Sequence, residues 1–170
     1  MSMQGSRIHG FRLVLLSILV PLFCSCTPLA TYPPVEGTQF LAPWIAPCPE
    51  VMAAGLRYAH VQTGKDEPLI FNLPPGTTML VWKDVQKRLG DDAEPMTEQG
   101  QITWTVEQVR IRGLKAEVDV GYPDGNTYQL MTVKLKSTAF GKFVPDYVQR
   151  WFIPLAEPTP NYPGLDNKGM

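Results

Sequence analysis

Residues 116–135, AEVDVGYPDGNTYQLMTVKL, carry the clearest structural signal in the chain. Apolar and polar residues alternate in both halves of this stretch, which is typical of strands that bury one face. The segment 122–126 between the halves is rich in turn-forming residues and predicts a β-hairpin. The alternating apolar positions are Ala116, Val118, Val120, Met131, Val133 and Leu135.

The register of this hairpin follows from the position of its loop. If Asp124-Gly125 is the loop, each core-facing residue meets an apolar partner. The facing pairs are then Val118 with Met131, Ala116 with Val133, and Leu114 with Leu135. On the other face, Glu117 lies diagonal to Lys134 and forms an attractive surface pair.

Further strands are predicted on both sides of the hairpin. Apolar residues alternate through 102–106, and the alternation resumes in a shifted phase at Val109. A phase change of one residue predicts a β-bulge near Glu107-Gln108. A last strand, around 144–153, is apolar on both sides, which predicts a central or covered strand.

Two helices are predicted ahead of these strands. The first begins at Pro49, which suits a first helical turn, and ends at Gly64. The second begins after Gly76 with a threonine cap and ends at Gly90. Their apolar faces consist of Met52, Leu56 and Ala59 in the first helix and Val81, Trp82, Val85 and Leu89 in the second.

The order of these elements predicts an α+β domain in which two N-terminal helices pack on an antiparallel meander of three to four strands. This order, together with the texture of the strands in 108–119 and 128–135, resembles the nuclear-transport-factor-like and cystatin-like folds. The resemblance implies a cone-shaped domain whose long, bent strands enclose a pocket. The chain departs from the enzymes of that group because it lacks their His–Asp pair in the pocket.

The amino terminus has the layout of a secretory signal. Two arginines lie in a polar start, and an apolar run of 11 residues follows from Leu13 to Phe23. The run is too short to span a membrane, which takes about 20 apolar residues. Phe23-Cys24-Ser25-Cys26 resembles the lipobox of bacterial lipoproteins, in which a small residue precedes the lipidated cysteine, although Phe23 and Cys24 are looser matches.

This resemblance implies cleavage after Ser25 and attachment of acyl chains to Cys26, which would hold the protein on a membrane. Because Thr27 rather than aspartate follows, it also implies an outer-membrane location facing the periplasm, as in enterobacterial lipoproteins. Ordinary secretion with cleavage nearby is the alternative. A Cys26–Cys48 disulfide is then available, whereas lipidation of Cys26 leaves Cys48 without an internal partner.

The predicted organisation is a signal peptide at 1–25, a proline-rich tether at 26–47, a globular domain at 48–153 and a proline-rich tail at 154–170, disordered or pressed onto the surface. The chain has 170 residues, of which 17 are proline, and a formal net charge of −1. Loss of the two arginines of the leader changes this charge to about −3. Such a balance predicts no broad basic surface for nucleic acid.

Residues for nucleophilic catalysis are scarce. After the leader there is one histidine, His60, and one serine, Ser137. Cys48 precedes His60 by 12 residues, a separation of about 18 Å along a continuous helix. Cys48 could be activated at a helix start, although a small buried residue is the favoured interpretation. We therefore predict no catalytic residues.

Metal and carboxylate chemistry is equally sparse. The chain lacks the closely spaced His and Cys ligands of zinc sites, and Asp119 with Asp124 does not match a calcium loop, so neither a metal site nor a cofactor is predicted. Glu117 and Asp119 share a strand face about 7 Å apart and could pair for glycoside hydrolysis. Lys134 and Lys136 are close to both carboxylates, which are therefore interpreted as members of surface ion pairs. The acidic segment 91–94 is interpreted as a solvated turn.

Together these observations predict a lipid-anchored protein of a bacterial cell envelope that is a non-enzymatic binding or structural module. Its partners would be the membrane, through Cys26, and an envelope protein, but no nucleic acid. The alternative is a pocket domain that binds or transforms a small apolar ligand, with a redox role for Cys48 as a third. Aromatic residues that suit either the pocket or the core are Trp82, Trp104, Tyr128 and Trp151.

Overall fold

The computed structural model describes residues 27–64, 66–138 and 141–164, which form two helices and one mixed sheet of eight strands. The helices are α1 (Cys48–Thr63) and α2 (Met79–Leu89). The strands are β1 (Ala30–Tyr32), β2 (Gln39–Phe40), β3 (Leu69–Asn72), β4 (Ala93–Pro95), β5 (Trp104–Arg112), β6 (Lys115–Asp124), β7 (Thr127–Lys136) and β8 (Val144–Leu155).

Strand β5 organises the sheet, whose main order is β2-β1-β5-β6-β7-β8. One edge of β5 pairs with β6, and its other edge is shared by two short strands. β3 pairs in parallel with Trp104 and Thr105, whereas β1 pairs antiparallel with residues 109–111. β4 lies beside β3. A fork between β1 and β3 therefore lies next to residues 106–108.

The prediction of two N-terminal helices on an antiparallel meander of three to four strands is wrong. The sheet is mixed and has eight strands, β1 and β2 precede α1, and β3 and β4 flank α2. These four strands have two to four residues each, which is too short for an alternating pattern to show. The expected cone shape rested on the order of elements and loses its basis with it.

The hairpin of β6 and β7 forms, but its predicted register is wrong by two residues. The loop consists of Gly125-Asn126 rather than Asp124-Gly125. Gly125 has φ of +61°, a left-handed conformation that glycine adopts without strain. Val118 therefore faces Val133. A shift of two residues leaves every side chain on its own face, so the apolar pattern could not distinguish the two registers.

The predicted bulge in β5 is confirmed. The pairing of β5 with β6 shifts between Val106 and Gln108. Because of this shift, Val106 and Val109 both point into the core although they are three residues apart, and both are buried. The Gln108 side-chain amide donates a hydrogen bond of 2.7 Å to the carbonyl oxygen of Pro33, which ties the bulge to the end of β1.

The inner face of the sheet carries the core, and α1 packs across β5, β6 and β7 on this side. Directly opposite residues share a face, so Val109, Val118 and Val133 form one inner row. α1 begins with Pro49 in its first turn and ends at Gly64, as predicted. α2 packs on α1, and the Arg57 guanidinium donates to the carbonyl oxygens that end α2.

Strand β8 lies at the edge of the sheet, so the prediction of a central or covered strand is wrong. Within the described residues it pairs with β7 alone. Phe152 is 88% exposed, and Tyr147 and Ile153 are exposed as well. Apolar residues on both sides of a strand usually indicate a buried position, but here two register irregularities and a lateral position leave them open to solvent.

Residues 156–164, which we call the strap, lie against β3 and α2. The Asn72 side-chain amide donates to the carbonyl oxygen of Thr159 at 2.9 Å, and the Asn161 amide donates to that of Leu73 at 3.0 Å. Tyr162 packs edge-on against Trp82, with ring centroids 5.3 Å apart. The strap belongs to the stretch predicted as a tail, and it covers one side of the fork.

Candidate functional site: the outer face of the sheet

His60 and Ser137, the one histidine and the one serine after the leader, are held by separate hydrogen bonds. His60 Nε2 lies 2.7 Å from the carbonyl oxygen of Glu67, and its ring packs edge-on against Trp104. The Ser137 hydroxyl donates to the carbonyl oxygen of Gly141 at 2.5 Å. The described contacts bring neither side chain to the other, so the pair does not form a nucleophile and its base.

Cys48 is completely buried, and burial raises the pKa of its thiol to about 12. Reactive cysteines have a lowered pKa and some exposure. The helix start at Cys48 therefore does not activate the thiol, and the structure agrees with a small buried residue rather than a redox centre. The leader and Cys26, with its predicted lipid and the alternative Cys26–Cys48 disulfide, lie outside the described residues.

The paired carboxylates Glu117 and Asp119 share the outer face, but Arg110 lies between them. Two guanidinium nitrogens of Arg110 donate to Asp119 at 2.7 Å each, and its Nε donates to Glu117 at 3.1 Å. The hydrogen bonds to Asp119 raise the pKa of Arg110. Lys134 stands directly opposite Glu117, with Nζ 3.8 Å from Oε1, rather than diagonal. Both carboxylates are therefore engaged in ion pairs and do not flank an open glycosidase site.

These ion pairs continue across the sheet as a chain of hydrogen bonds. The Thr132 hydroxyl donates to Asp119 at 2.6 Å, and the Trp151 indole nitrogen donates to the Thr132 hydroxyl at 2.9 Å. The chain thus links β5, β6, β7 and β8 in order. The last of these bonds orients the indole of Trp151 at the sheet edge.

A cleft of about 360 Å³ opens at the fork between β1 and β3, and we call it the bulge cleft. Prolines of the loops after β1 and β3 form two of its walls, and the strap forms a third. Gly121 lies next to two of its lining residues, since a Cβ atom there would lie 3.1 Å from Leu155 and 3.3 Å from the Glu107 carboxylate. The bulge in β5 is what places Glu107 in this cleft.

Two polar groups of the bulge cleft have unusual surroundings. Burial raises the pKa of Glu107, and the negative charge of Asp119 adds to this effect. Glu107 is nevertheless exposed at the mouth of the cleft, so a ligand can reach it. Thr105 Oγ1 is buried, and no described residue supplies a hydrogen-bond partner for it. A perturbed carboxyl group and an unpaired hydroxyl in one cleft are typical of a ligand-binding site.

A second cleft, of about 330 Å³, lies beside the hairpin loop and is lined in part by Tyr128 and Glu157. The Tyr128 hydroxyl donates to the carbonyl oxygen of Gln101 at 3.1 Å. Trp82 and Trp104 are buried in the core and line neither cleft. An open cavity with one of the predicted aromatic residues and a carboxylate therefore exists, but at the surface rather than inside the domain.

Over the described part of the chain, no group of three or more His, Cys, Asp or Glu side chains is arranged to hold a metal ion. Asp91 and Asp92 are exposed in a turn after α2, and Glu94 lies in β4. Among the described residues, no helix is both long enough and apolar enough to cross a membrane.

Sequence reasoning did not single out Glu107, Thr105 or Arg110 as site residues. The polar phase of β5 and the predicted bulge contain the signal for Arg110 and Glu107, because together they place both on the outer face. No sequence signal exists for Thr105, since its lack of a partner depends on the fork between strands that are distant in the chain.

Comparison of the chain with protein-family models, with curated proteins and with solved structures finds no match.

Proposed function

We propose that this protein is a lipid-anchored component of a bacterial cell envelope that acts by binding an envelope protein, without catalysis. The anchor rests on the leader and on the lipobox-like sequence Phe23-Cys24-Ser25-Cys26, with Cys26 as the acylated residue. The residue after it, Thr27, supports an outer-membrane location facing the periplasm. The binding role rests on the geometry of β8.

The observation that carries the binding role is the exposed apolar surface along β8. Main-chain groups at the free edge of a strand can pair with an added strand. Beside this edge, Tyr147, Phe152 and Ile153 are each at least 49% exposed. Large apolar side chains next to unpaired main chain favour a protein partner over solvent.

The prolines and irregularities of β8 restrict where a partner strand can pair. Pro145 and Pro154 lie near its two ends, next to shifts in its register with β7. Proline removes a donor, and a bulge bends the strand, so both ends are protected. The regular stretch 147–151 remains. It suits an extended segment of about five residues whose alternate apolar side chains contact Tyr147 and Trp151.

Photo-crosslinking in intact envelopes tests this binding edge. A photoreactive amino acid at position 152 should give a discrete adduct with one envelope protein. The matched control is position 80, because Leu80 is also apolar and 69% exposed but lies on α2. No adduct at 152, or the same adducts at both positions, contradicts the proposal.

Mass spectrometry of the amino terminus tests the anchor. The mature protein should begin at an acylated Cys26, and Cys26→Ala should release the protein from membranes, because the acyl chains hold it there. An unacylated amino terminus, or a Cys26→Ala variant that stays in the membrane fraction, contradicts the anchor.

A second candidate function is the binding of a small ligand in the bulge cleft. The raised pKa of Glu107 and the unpaired Thr105 hydroxyl favour it. The proline walls suit a ligand with an apolar body, and the two polar groups suit one with a hydrogen-bonding end. Native mass spectrometry of protein purified from envelopes should show a retained small molecule that Glu107→Gln loses and the exposed control Glu36→Gln keeps. Protein without a retained molecule contradicts this role.

A further inference from the structure

The end of the sheet at the β5–β6 turn carries a row of cations. Arg112 pairs with Lys115, and Lys115 pairs with Lys136, so three basic side chains lie side by side on the outer face. Neighbouring strands are about 4.8 Å apart, which places all three within about 10 Å. All three are exposed, as is Lys142 in the loop before β8. We call these four residues the basic end.

The basic end contrasts with the next row inward. There Arg110, Glu117 and Lys134 alternate in sign and form ion pairs. In the terminal row like charges stand directly opposite one another, an arrangement that costs stability unless an anion lies between them. Among the described residues Lys136 alone of the four has an ion-pair partner, Asp146 at 2.7 Å.

The Glu50 carboxylate, which contacts the loop before β8, is already engaged. The Glu50 carboxylate accepts a hydrogen bond of 2.8 Å from the main-chain nitrogen of Phe143, in the loop that carries Lys142. Arg112, Lys115 and Lys142 form no ion pair within the described ranges and can meet an external anion, although the whole chain has a net charge of −1.

The first described residue, Thr27, lies at this same end. β1 runs antiparallel to β5, and Ala30 pairs with Ile111. The chain before Ala30 consequently reaches the β5–β6 turn, where a Cβ atom on Gly113 would lie 3.7 Å from the Thr27 hydroxyl. Residue 26 is adjacent to Thr27, so an anchor on Cys26 would hold the turn within one residue of its lipid.

We propose that the basic end rests on the surface of the membrane, with its cations on the phosphates of anionic lipid headgroups. The exposed Leu114 at the tip of the turn would enter the interface. This inference depends on the acyl anchor at Cys26. Each basic residue near an anionic surface adds to attachment, so the anchor and the basic end together fix which side of the domain faces the bilayer. The bulge cleft, the hairpin loop and the exposed residues Phe152 and Ile153 of β8 lie toward the opposite end of the sheet.

Fluorescence quenching in reconstituted vesicles tests this orientation. The full acylated protein, labelled at Leu114→Cys, is placed in vesicles of phosphatidylcholine with brominated phosphatidylglycerol. The control label is at Asn126→Cys, in the loop at the other end of the sheet. The lipid bromines should quench most of the emission at 114 and leave the emission at 126 unchanged.

Charge variants show whether the headgroups are responsible. Arg112→Glu with Lys115→Glu should greatly reduce the quenching at 114, whereas Lys83→Glu with Lys87→Glu on α2 should not. Vesicles of brominated phosphatidylcholine alone should quench much less. Equal quenching at 114 and 126, or quenching that ignores both charge and lipid, overturns the orientation while the protein remains anchored. Protein that lacks acyl chains by mass spectrometry overturns the anchor, and this inference with it.

Discussion

Burial raises the pKa of both Cys48 and Glu107. The consequences differ because one group is enclosed and the other faces a cleft. Cys48 is held as a neutral thiol between two prolines, where it packs like a small apolar residue. Glu107 has a route to solvent, so the same physical effect makes its protonation sensitive to pH and to a bound ligand.

The Cys48 thiol should not react with a maleimide in the native protein. Its pKa of about 12 leaves almost no thiolate at pH 8, and its side chain has no exposed surface. Labelling of the peptide that contains Cys48, followed by mass spectrometry, should rise only when denaturant opens the fold. Fast labelling without denaturant would restore the redox role that the burial argues against.

Glu107 should make the stability of the protein fall as the pH rises. Its pKa is raised above 4.5 in the folded state, so between these two values the folded protein binds more protons than the unfolded chain. The contribution of Glu107 is therefore complete below pH 4.5 and is lost as the pH rises through the folded value. In Glu107→Gln this loss should disappear, as measured by denaturant unfolding at several pH values. Glu36→Gln should follow the wild type, and parallel curves for all three proteins would contradict the assignment.

Strands β5, β6, β7 and β8 are connected through side chains as well as through main-chain hydrogen bonds, and Arg110 is the central member. Arg110→Met should lower the free energy of unfolding by about 1–3 kcal/mol, because the mostly buried Asp119 loses its two guanidinium bonds. The intrinsic fluorescence of Trp151 should change as well, since Asp119 orients it through Thr132. Arg112→Met, on the next row but exposed, should stay within about 0.5 kcal/mol of the wild type. Equal effects of the two substitutions would show that the chain of hydrogen bonds does not contribute to the free energy of unfolding.

At the scale of elements, the long helices and strands were predictable and the short ones were not. Both helices, the β6–β7 hairpin and the bulge at Glu107 have patterns that extend over enough residues to be read. The predicted register of the β6–β7 hairpin was wrong because a shift of two residues leaves every side chain on the same face of the sheet. The position of β8 could not be read because burial of a strand depends on what lies beside it. The strands β1 to β4 were missed because each forms only a few pairs, set by partners far away in the chain.

At the scale of the whole molecule, the described parts of both proline-rich segments contact the folded domain: β1 and β2 join the sheet, and the strap lies on β3 and α2. Proline predicted a tether at 26–47 and a tail at 154–170 that is disordered or pressed onto the surface, since it interrupts helices and ladders. Within the described residues, the first segment pairs only at 30–32 and 39–40, and the strap contacts β3 and α2 through side chains. Residues 30–32 pair along part of one edge of β5, and the strap covers one side of the fork beside them.

The strap should stabilise the domain chiefly by satisfying Asn72, which is 1% exposed. Both polar atoms of this side chain bond to the strap, at 2.9 Å to Thr159 and 3.3 Å from the main-chain nitrogen of Asn161. In the full chain, Asn72→Leu should cost about 1–3 kcal/mol, because it leaves these strap groups without partners. In a chain that ends at Leu155 the strap groups are gone, so the same substitution should be neutral or stabilising. Thermal and urea unfolding of the four proteins measure the coupling, with Leu80→Ala as a control that should cost the same in both backgrounds. If Asn72→Leu lowers the free energy of unfolding equally with and without the strap, the strap covers the fork but does not stabilise it through Asn72.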